Sequence, residues 1–285
     1  RLPAADRELF IKSAMVIKAH IDNNGAIIAS SDTAMLNYSR DAYGYCWPRD
    51  GAYAIWPLIR LGYTHEPQNF FLFMLSGLHP KGYLMHKYRA DGALGSSWHP
   101  YMHENGNSAP IQEDETALVL FMYAQFYGMS PHEAKLEQMY EPFVKQMANF
   151  LATYLDEVTG LPRPTYDLWE EQPKTTTYTV SVVYAALLAA ADLADTKQDQ
   201  DSSVLWRSVA EDILRAAKVH LYNESTGMFR KGISINNQEI IYDDTIDVSA
   251  VYGSFMYGLL LAIRSKESVN IDQMWALLQP VSGSL

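Results

Sequence analysis

Stretches whose apolar residues recur every three to four positions alternate in this chain with short turns and long loops, and that rhythm limits the fold more than any single motif. In residues 5–21 the period runs through Leu9, Phe10, Ala14, Ile17 and Ile21 and stops at Asn23-Asn24-Gly25. Residues 26–29 read as an extended segment. Helices are predicted next over 50–61, halted by Gly62, and over 68–77, where Pro67 sits in the first turn and its missing N–H leaves no bond unmade. The pattern returns over 115–127, 131–154, 176–194, 202–221, 247–264 and 270–279, with a small hairpin or meander over 227–235. The expected fold is therefore all-α, with about nine helices and small β-hairpin insertions. No linker or internal repeat divides the sequence, so residues 1–285 are expected to form a single domain.

If successive helices run antiparallel, every second connection lies at the same end of the molecule. The long loops 22–49, 79–113, 155–175 and 222–246 are then expected to gather at one face. They hold most of the Trp, His, Arg and acidic residues from which a site could be built, and loops of this length in a compact domain are usually functional.

Composition narrows what that face can bind. Twenty-two basic against thirty-three acidic residues give a net charge of −11 without any basic stripe, so no nucleic-acid partner is expected. No apolar run is read as long enough to cross a bilayer, and Arg1-Leu2-Pro3-Ala4-Ala5-Asp6 lacks the apolar core of a signal peptide. No membrane partner is expected, and the compartment stays unassigned with the cytoplasm preferred. Cys46 is the single cysteine, so no internal disulfide forms, and it reads as a small buried hydrophobe rather than a nucleophile because nothing marks an orienting partner. Aromatic residues make up 12% of the chain, 19 of them Tyr, and their flat apolar faces with polar edges suit sugars and other amphipathic ligands.

The densest candidate for chemistry is Tyr166-Asp167-Leu168-Trp169-Glu170-Glu171, which packs three carboxylates and a Trp into six residues just after Pro162 and Pro164. A carboxylic acid beside a large apolar ring is desolvated and holds its proton to higher pH, so one of Glu170 and Glu171 reads as a general acid. The plainer alternative is that these acids only complement the positive end of the helix that starts near Thr176. Trp47-Pro48-Arg49-Asp50 leads into a helix and can either clamp vicinal hydroxyls or form a helix-capping ion pair. His86-Lys87-Tyr88 and Gly95-Ser96-Ser97-Trp98-His99-Pro100-Tyr101 interleave aromatic and hydrogen-bonding groups ahead of Gln112-Glu113-Asp114-Glu115-Thr116. The acids at 113–115 could equally be an ordinary acidic first turn. His99 and His103 have helical zinc-ligand spacing, but Pro100 and Gly106 argue against a helix. Asp243-Asp244-Thr245-Ile246-Asp247 spells the magnesium motif of helical prenyl-diphosphate enzymes, yet these acids precede their helix, the cavity would need basic residues for the diphosphate, and no second metal-binding motif is evident. Neither a metal nor a cofactor is assigned.

Four motifs taken together, Trp47-Pro48-Arg49-Asp50-Gly51-Ala52-Tyr53, Leu94-Gly95-Ser96-Ser97-Trp98-His99-Pro100, Gln112-Glu113-Asp114-Glu115-Thr116-Ala117 and Asp167-Leu168-Trp169-Glu170-Glu171, resemble glycoside hydrolase family 15. This is the glucoamylase family, which also holds glucodextranases and some trehalases, and the order and spacing match its prokaryotic members over most of the chain. The resemblance implies an (α/α)6 toroid with the site in a funnel built from the loops at one end. It implies Glu170 as general acid, with Glu171 and Asp167 as neighbours that orient the sugar and tune the acid. Arg49 and Asp50 match the pair that grips the terminal glucose, Trp47 and Trp98 match aromatic residues lining the pocket, and Trp169 is the ring inside the acid motif. The implied reaction is inverting exo-hydrolysis of an α-linked gluco-oligosaccharide, releasing β-glucose from the non-reducing end, with a second carboxylate as base.

One departure qualifies the match. The family's base lies on a late loop whose surrounding motif is not found before Leu285, and about nine helices fall short of the twelve of a toroid. The expectation is a catalytic-domain fragment that lacks the last helices and an N-terminal β-sandwich domain. Such a fragment would be weakly active or only sugar-binding, with self-association through the faces left open.

Overall fold

Among the residues that the computed structural model describes, 3–31, 43–95, 102–103, 106–107, 110–130, 134–236 and 239–264, helices dominate. In chain order they are α1 (Ala4–Ala19), α2 (Pro48–Arg60), α3 (His65–Gly77), α4 (Glu113–Met129), α5 (Ala134–Glu137), α6 (Lys145–Thr153), α7 (Thr177–Thr196), α8 (Gln200–His220), α9 (Val248–Met256) and α10 (Leu259–Arg264). Pro48 opens α2 at a position that needs no N–H donor. Thr176 and Asp199 cap α7 and α8 by accepting the backbone N–H of Thr179 and Ser202.

Helix α7 is the centre of the core. Its run of Val, Ala and Leu is buried on nearly every side, and α4, α8, α9 and α6 pack around it. By length and composition α7 could cross a bilayer, which corrects the expectation that no segment could; the Thr, Ser and Tyr residues in its first turns hide the run from a reading by unbroken apolar stretches. Here the helix is surrounded by protein.

Two predicted helices are broken. The one expected over 131–154 becomes α5, a π-helical turn at Tyr140–Val144 and then α6. Pro142 lies in the π turn, where the wider register accommodates a residue without an N–H. The one expected over 247–264 divides into α9 and α10 at Gly258, whose φ of 75° is left-handed and ends a helix. The predicted segment 270–279 lies outside the described residues.

The β structure is more connected than a meander. Short antiparallel pairs join β1 (Tyr45–Cys46) to β2 (Tyr88–Arg89), β3 (Met102–His103) to β4 (Gly106–Asn107), and β7 (Tyr222–Asn223) to β8 (Met228–Phe229). A fourth, four-stranded antiparallel sheet has the order β10-β9-β6-β5, built from β5 (Thr165–Tyr166), β6 (Pro173–Thr176), β9 (Gly232–Asn236) and β10 (Glu239–Asp243). It ties the loop 155–175 to the loop 222–246.

Candidate active site

The Asp167-to-Gln172 segment is the end loop of a β-hairpin. Thr165 pairs with Lys174 and Tyr166 with Pro173, which fixes both ends of the loop. Inside it, Asp167 Oδ1 accepts the Trp169 N–H at 3.0 Å, and the Asp167 carbonyl accepts the Glu170 N–H at 3.0 Å. The turn so closed holds Glu170 at φ 57°, the left-handed region that an L side chain enters at a cost of about 1–2 kcal/mol. Among the described residues only Gln198 shares this feature without being glycine. The paired residues on either side and the two bonds to Asp167 hold the turn that imposes it.

The Glu170 carboxyl meets groups from the loop 79–113 and from α2. Its Oε1 lies 3.0 Å from His86 Nε2 and 3.9 Å from Arg49 Nη2. His86 Nε2 in turn accepts the indole N–H of Trp47 at 3.1 Å. Arg49 Nη1 is anchored by Gln112 Oε1 and, at 3.1 Å, by Asp114 Oδ2, with Glu115 Oε1 at 3.8 Å. Lys87 Nζ sits 4.9 Å over the rings of both Tyr45 and Trp47, cation–π contacts that help a buried ammonium to be accommodated.

The acids at the start of α4 are not an ordinary solvated first turn, because Glu113, Asp114 and Glu115 are all fully buried. Burial pushes Glu113 and Glu115 well above the usual carboxylate range, and Asp114 is also raised by burial, with Arg49 opposing the rise. Burial disfavours the Arg49 charge, and Asp114, Glu115 and Asp50 more than offset it, so the guanidinium stays protonated.

The remaining predicted residues divide. Asp167 is buried under the turn, and burial lifts its carboxyl to about 6. Trp169 is not a ring folded over the acid: it is 41% exposed and its indole donates to Asp247 Oδ1 at 3.2 Å. Trp47, His86 and Arg49 take the place beside Glu170 that was expected for Trp169. Glu171 turns to Lys231 Nζ at 3.1 Å with its side chain 66% exposed, and Asp50 stands open to solvent, 3.9 Å from Arg49 Nε. Trp98, His99 and Tyr101 lie outside the described residues.

The Asp243, Asp244 and Asp247 carboxylates go to three different cations, Lys174, Arg230 and Lys231, and Asp247 also caps α9 by accepting the Ser249 N–H. Among the described residues no cluster of three His, Cys, Asp or Glu side chains is placed to hold a metal ion. The Cys46 thiol is buried and pushed up to about 12 by that burial, so it is not a thiolate nucleophile. Sequence reasoning named the stretches holding His86, Gln112 and Asp114 without assigning these residues to the site. The signal for them is the position of the loop 79–113, which holds His86 and Gln112 and ends next to Asp114, at the face where the long loops are expected to meet.

Comparison with known proteins gives a consistent picture. The family model for glycosyl hydrolases family 15 matches residues 4–285. An uncharacterized glycosyl hydrolase of Methanocaldococcus jannaschii is 26% identical over 251 residues, covering 87% of this chain and 36% of that protein. A trehalase of Mycobacterium tuberculosis is 24% identical over 226 residues, covering 71% of this chain and 32% of that protein. The chain thus spans about a third of the length of the curated relatives it matches. Among solved structures, a bacterial glucoamylase complexed with acarbose superposes with a TM-score of 0.67 at 19% identity, covering 94% of this chain and 39% of that one. A glycosidase variant in complex with glucose gives the same TM-score and identity, covering 91% and 67%. These likenesses establish the toroid-type helical fold with small β insertions.

Proposed function

The chain belongs to glycosyl hydrolases family 15, and from that premise we propose that it carries the acid side of an inverting, exo-acting glycosidase that releases β-glucose from the non-reducing end of an α-linked gluco-oligosaccharide. The observation that carries this reading is Glu170: a carboxyl presented by a strained turn between paired strands to a buried Arg and to a buried His that itself accepts from a buried Trp. Strain of this kind persists where the surroundings over-determine it, and active sites are where it collects.

Glu170 donates its proton to the glycosidic oxygen as the bond to the anomeric carbon breaks, and the bonding pair stays on the leaving oxygen. Arg49, 3.9 Å away, then faces the carboxylate that remains. In an inverting glycosidase a second carboxylate, roughly 6.5–9.5 Å from the acid, activates the attacking water on the opposite face of the sugar. Glucose and acarbose in the solved relatives support a sugar as ligand. The glucoamylase and trehalase among the relatives leave the linkage to be chosen by experiment.

The test is a proton NMR time course of the purified protein with maltotriose, isomaltotriose and trehalose, beside its Glu170→Gln variant. Early β-glucose, with turnover reduced on the order of 100-fold or more in the variant, supports the reading and places the second carboxylate within this chain, whereas a folded chain that hydrolyses none of the three fits a fragment whose base lies elsewhere. Early α-glucose, or a variant as active as the parent, overturns the reading.

A further inference from the structure

Between Trp47 and Glu170 stands one nitrogen. His86 Nε2 is 3.1 Å from Trp47 Nε1 and 3.0 Å from Glu170 Oε1, and His86 and Trp47 are both buried. An indole N–H can only donate. The nitrogen that receives it therefore offers a lone pair and carries no proton. The second contact is then attractive only if the hydrogen sits on the carboxyl oxygen, with Glu170 donating and the single in-plane lone pair of Nε2 shared between the two donors. The reverse, an Nε2–H donating to a carboxylate, would set two N–H groups head to head in a buried place, which is costly.

We propose that His86 is a positioning residue for the acid: Trp47 holds it neutral and protonated on Nδ1, and its bare Nε2 keeps the transferable proton on Glu170. The inference rests on the reading of Glu170 as general acid. Among the described residues, the charged groups recorded as acting on Glu170 besides His86 include Arg49, 3.9 Å from the same oxygen, Asp50 from α2 and Glu115 from α4. Arg49 favours the carboxylate, while Asp50 and Glu115 oppose it. His86 adds an acceptor that only the protonated acid can use. Once the proton has gone to the leaving oxygen, the carboxylate faces a lone pair, and that mismatch favours reloading from solvent.

The basic limb of kcat/KM against pH reports loss of the proton from the acid. An acceptor for the protonated form holds that proton to higher pH. In His86→Leu the limb is therefore expected to move to lower pH, by roughly half to one unit. A charged His86 donating to the carboxylate would do the opposite, so a limb that rises, or does not move, overturns the proposal. Trp47→Phe frees Nε2 to take a proton and lowers the limb as well, with no further shift when combined with His86→Leu. If His86→Leu fails to fold, the imidazole ¹⁵N shifts of the parent decide: a pyridine-like Nε2 with a pyrrole-like Nδ1 is expected, and a protonated Nε2 overturns the assignment. If Glu170→Gln keeps full turnover, the proposed function itself has failed. If that variant is inactive while the limb in His86→Leu stays or rises, only the role of His86 has failed.

Discussion

At Glu170 the backbone and the chemistry ask for different residues. The turn asks for glycine, since φ is 57°, and acid catalysis asks for a carboxyl. The two demands separate by substitution. Glu170→Gly and Glu170→Ala are both expected to abolish turnover, but the glycine variant should be the more stable by about 1 kcal/mol, because only alanine keeps the Cβ that strains the left-handed turn. Urea denaturation of the pair measures this, and an equal or more stable alanine variant would remove the strain argument. Asp167 gives a pH-dependent counterpart. Burial raises its carboxyl to about 6 in the folded protein, against about 3.9 in an unfolded chain, so the unfolded form loses its proton first as pH rises. The native protein should therefore lose stability, relative to Asp167→Asn, as pH climbs from about 4 to 6, reaching up to about 3 kcal/mol above that range. Asparagine keeps an oxygen for the Trp169 N–H, so the packing is retained. Melting temperatures of both proteins across this range test the sign, and a difference that does not vary with pH contradicts it. The stretch that holds Glu170 is legible in the sequence, as three carboxylates and a Trp just after two prolines, although that Trp, Trp169, turns to Asp247 instead. What supports Glu170 is not legible, because the ring that matters, Trp47, lies 123 residues upstream of Glu170 and no local pattern links them.

At the scale of elements, legibility followed length. Helices α2, α3, α4, α7 and α8 show a clear apolar period or clear stop signals, and their predicted bounds lie within a few residues of those observed. Strands β5 and β6 span two and four residues, too few for an alternating pattern to be read, so the hairpin carrying Glu170 reads as a loop in the sequence. That hairpin rests on β9 through Thr175 opposite Ile233 and Thr176 opposite Gly232. A Cβ on Gly232 would come 2.5 Å from the Thr175 carbonyl oxygen and 3.0 Å from Thr176 Cα, both backbone atoms that cannot rotate away. Gly232→Ala is thus expected to push β6 off β9, destabilise the fold by about 1–3 kcal/mol and lower kcat on the order of 10–100-fold, by moving the acid rather than changing it. Gly128→Ala, in α4 with open space around it, is the control and should leave both stability and kcat near the parent. Equal kcat in Gly232→Ala and parent would mean that the sheet does not hold the acid in place.

Over the whole molecule, the expected meeting of the long loops is borne out by the bonds among them. Trp47 reaches His86, His86 reaches Glu170, Trp169 reaches Asp247, and Glu171 reaches Lys231, so all four loops or their borders are tied at one place. The same topology leaves apolar residues outside. Leu9, Phe10, Ile11, Met15 and Val16 on α1, and Ile246, Val248, Val251 and Phe255 at and before α9, are exposed. Grouped exposure of this kind drives association, whereas the net charge of −11 keeps copies apart. Salt weakens only the second effect, since the Debye length falls from about 10 Å at 0.1 M to about 3 Å at 1 M while apolar burial persists. Self-association that grows with protein concentration, and grows further between about 0.05 and 0.5 M NaCl, is therefore expected in sedimentation velocity. Val251→Glu combined with Phe255→Glu should reduce it at both salt concentrations, by removing apolar area and adding charge on one helix. An association driven by ion pairs would instead weaken with salt, and a monomer under every condition would mean that these side chains stand singly in water, as surface apolar residues ordinarily can.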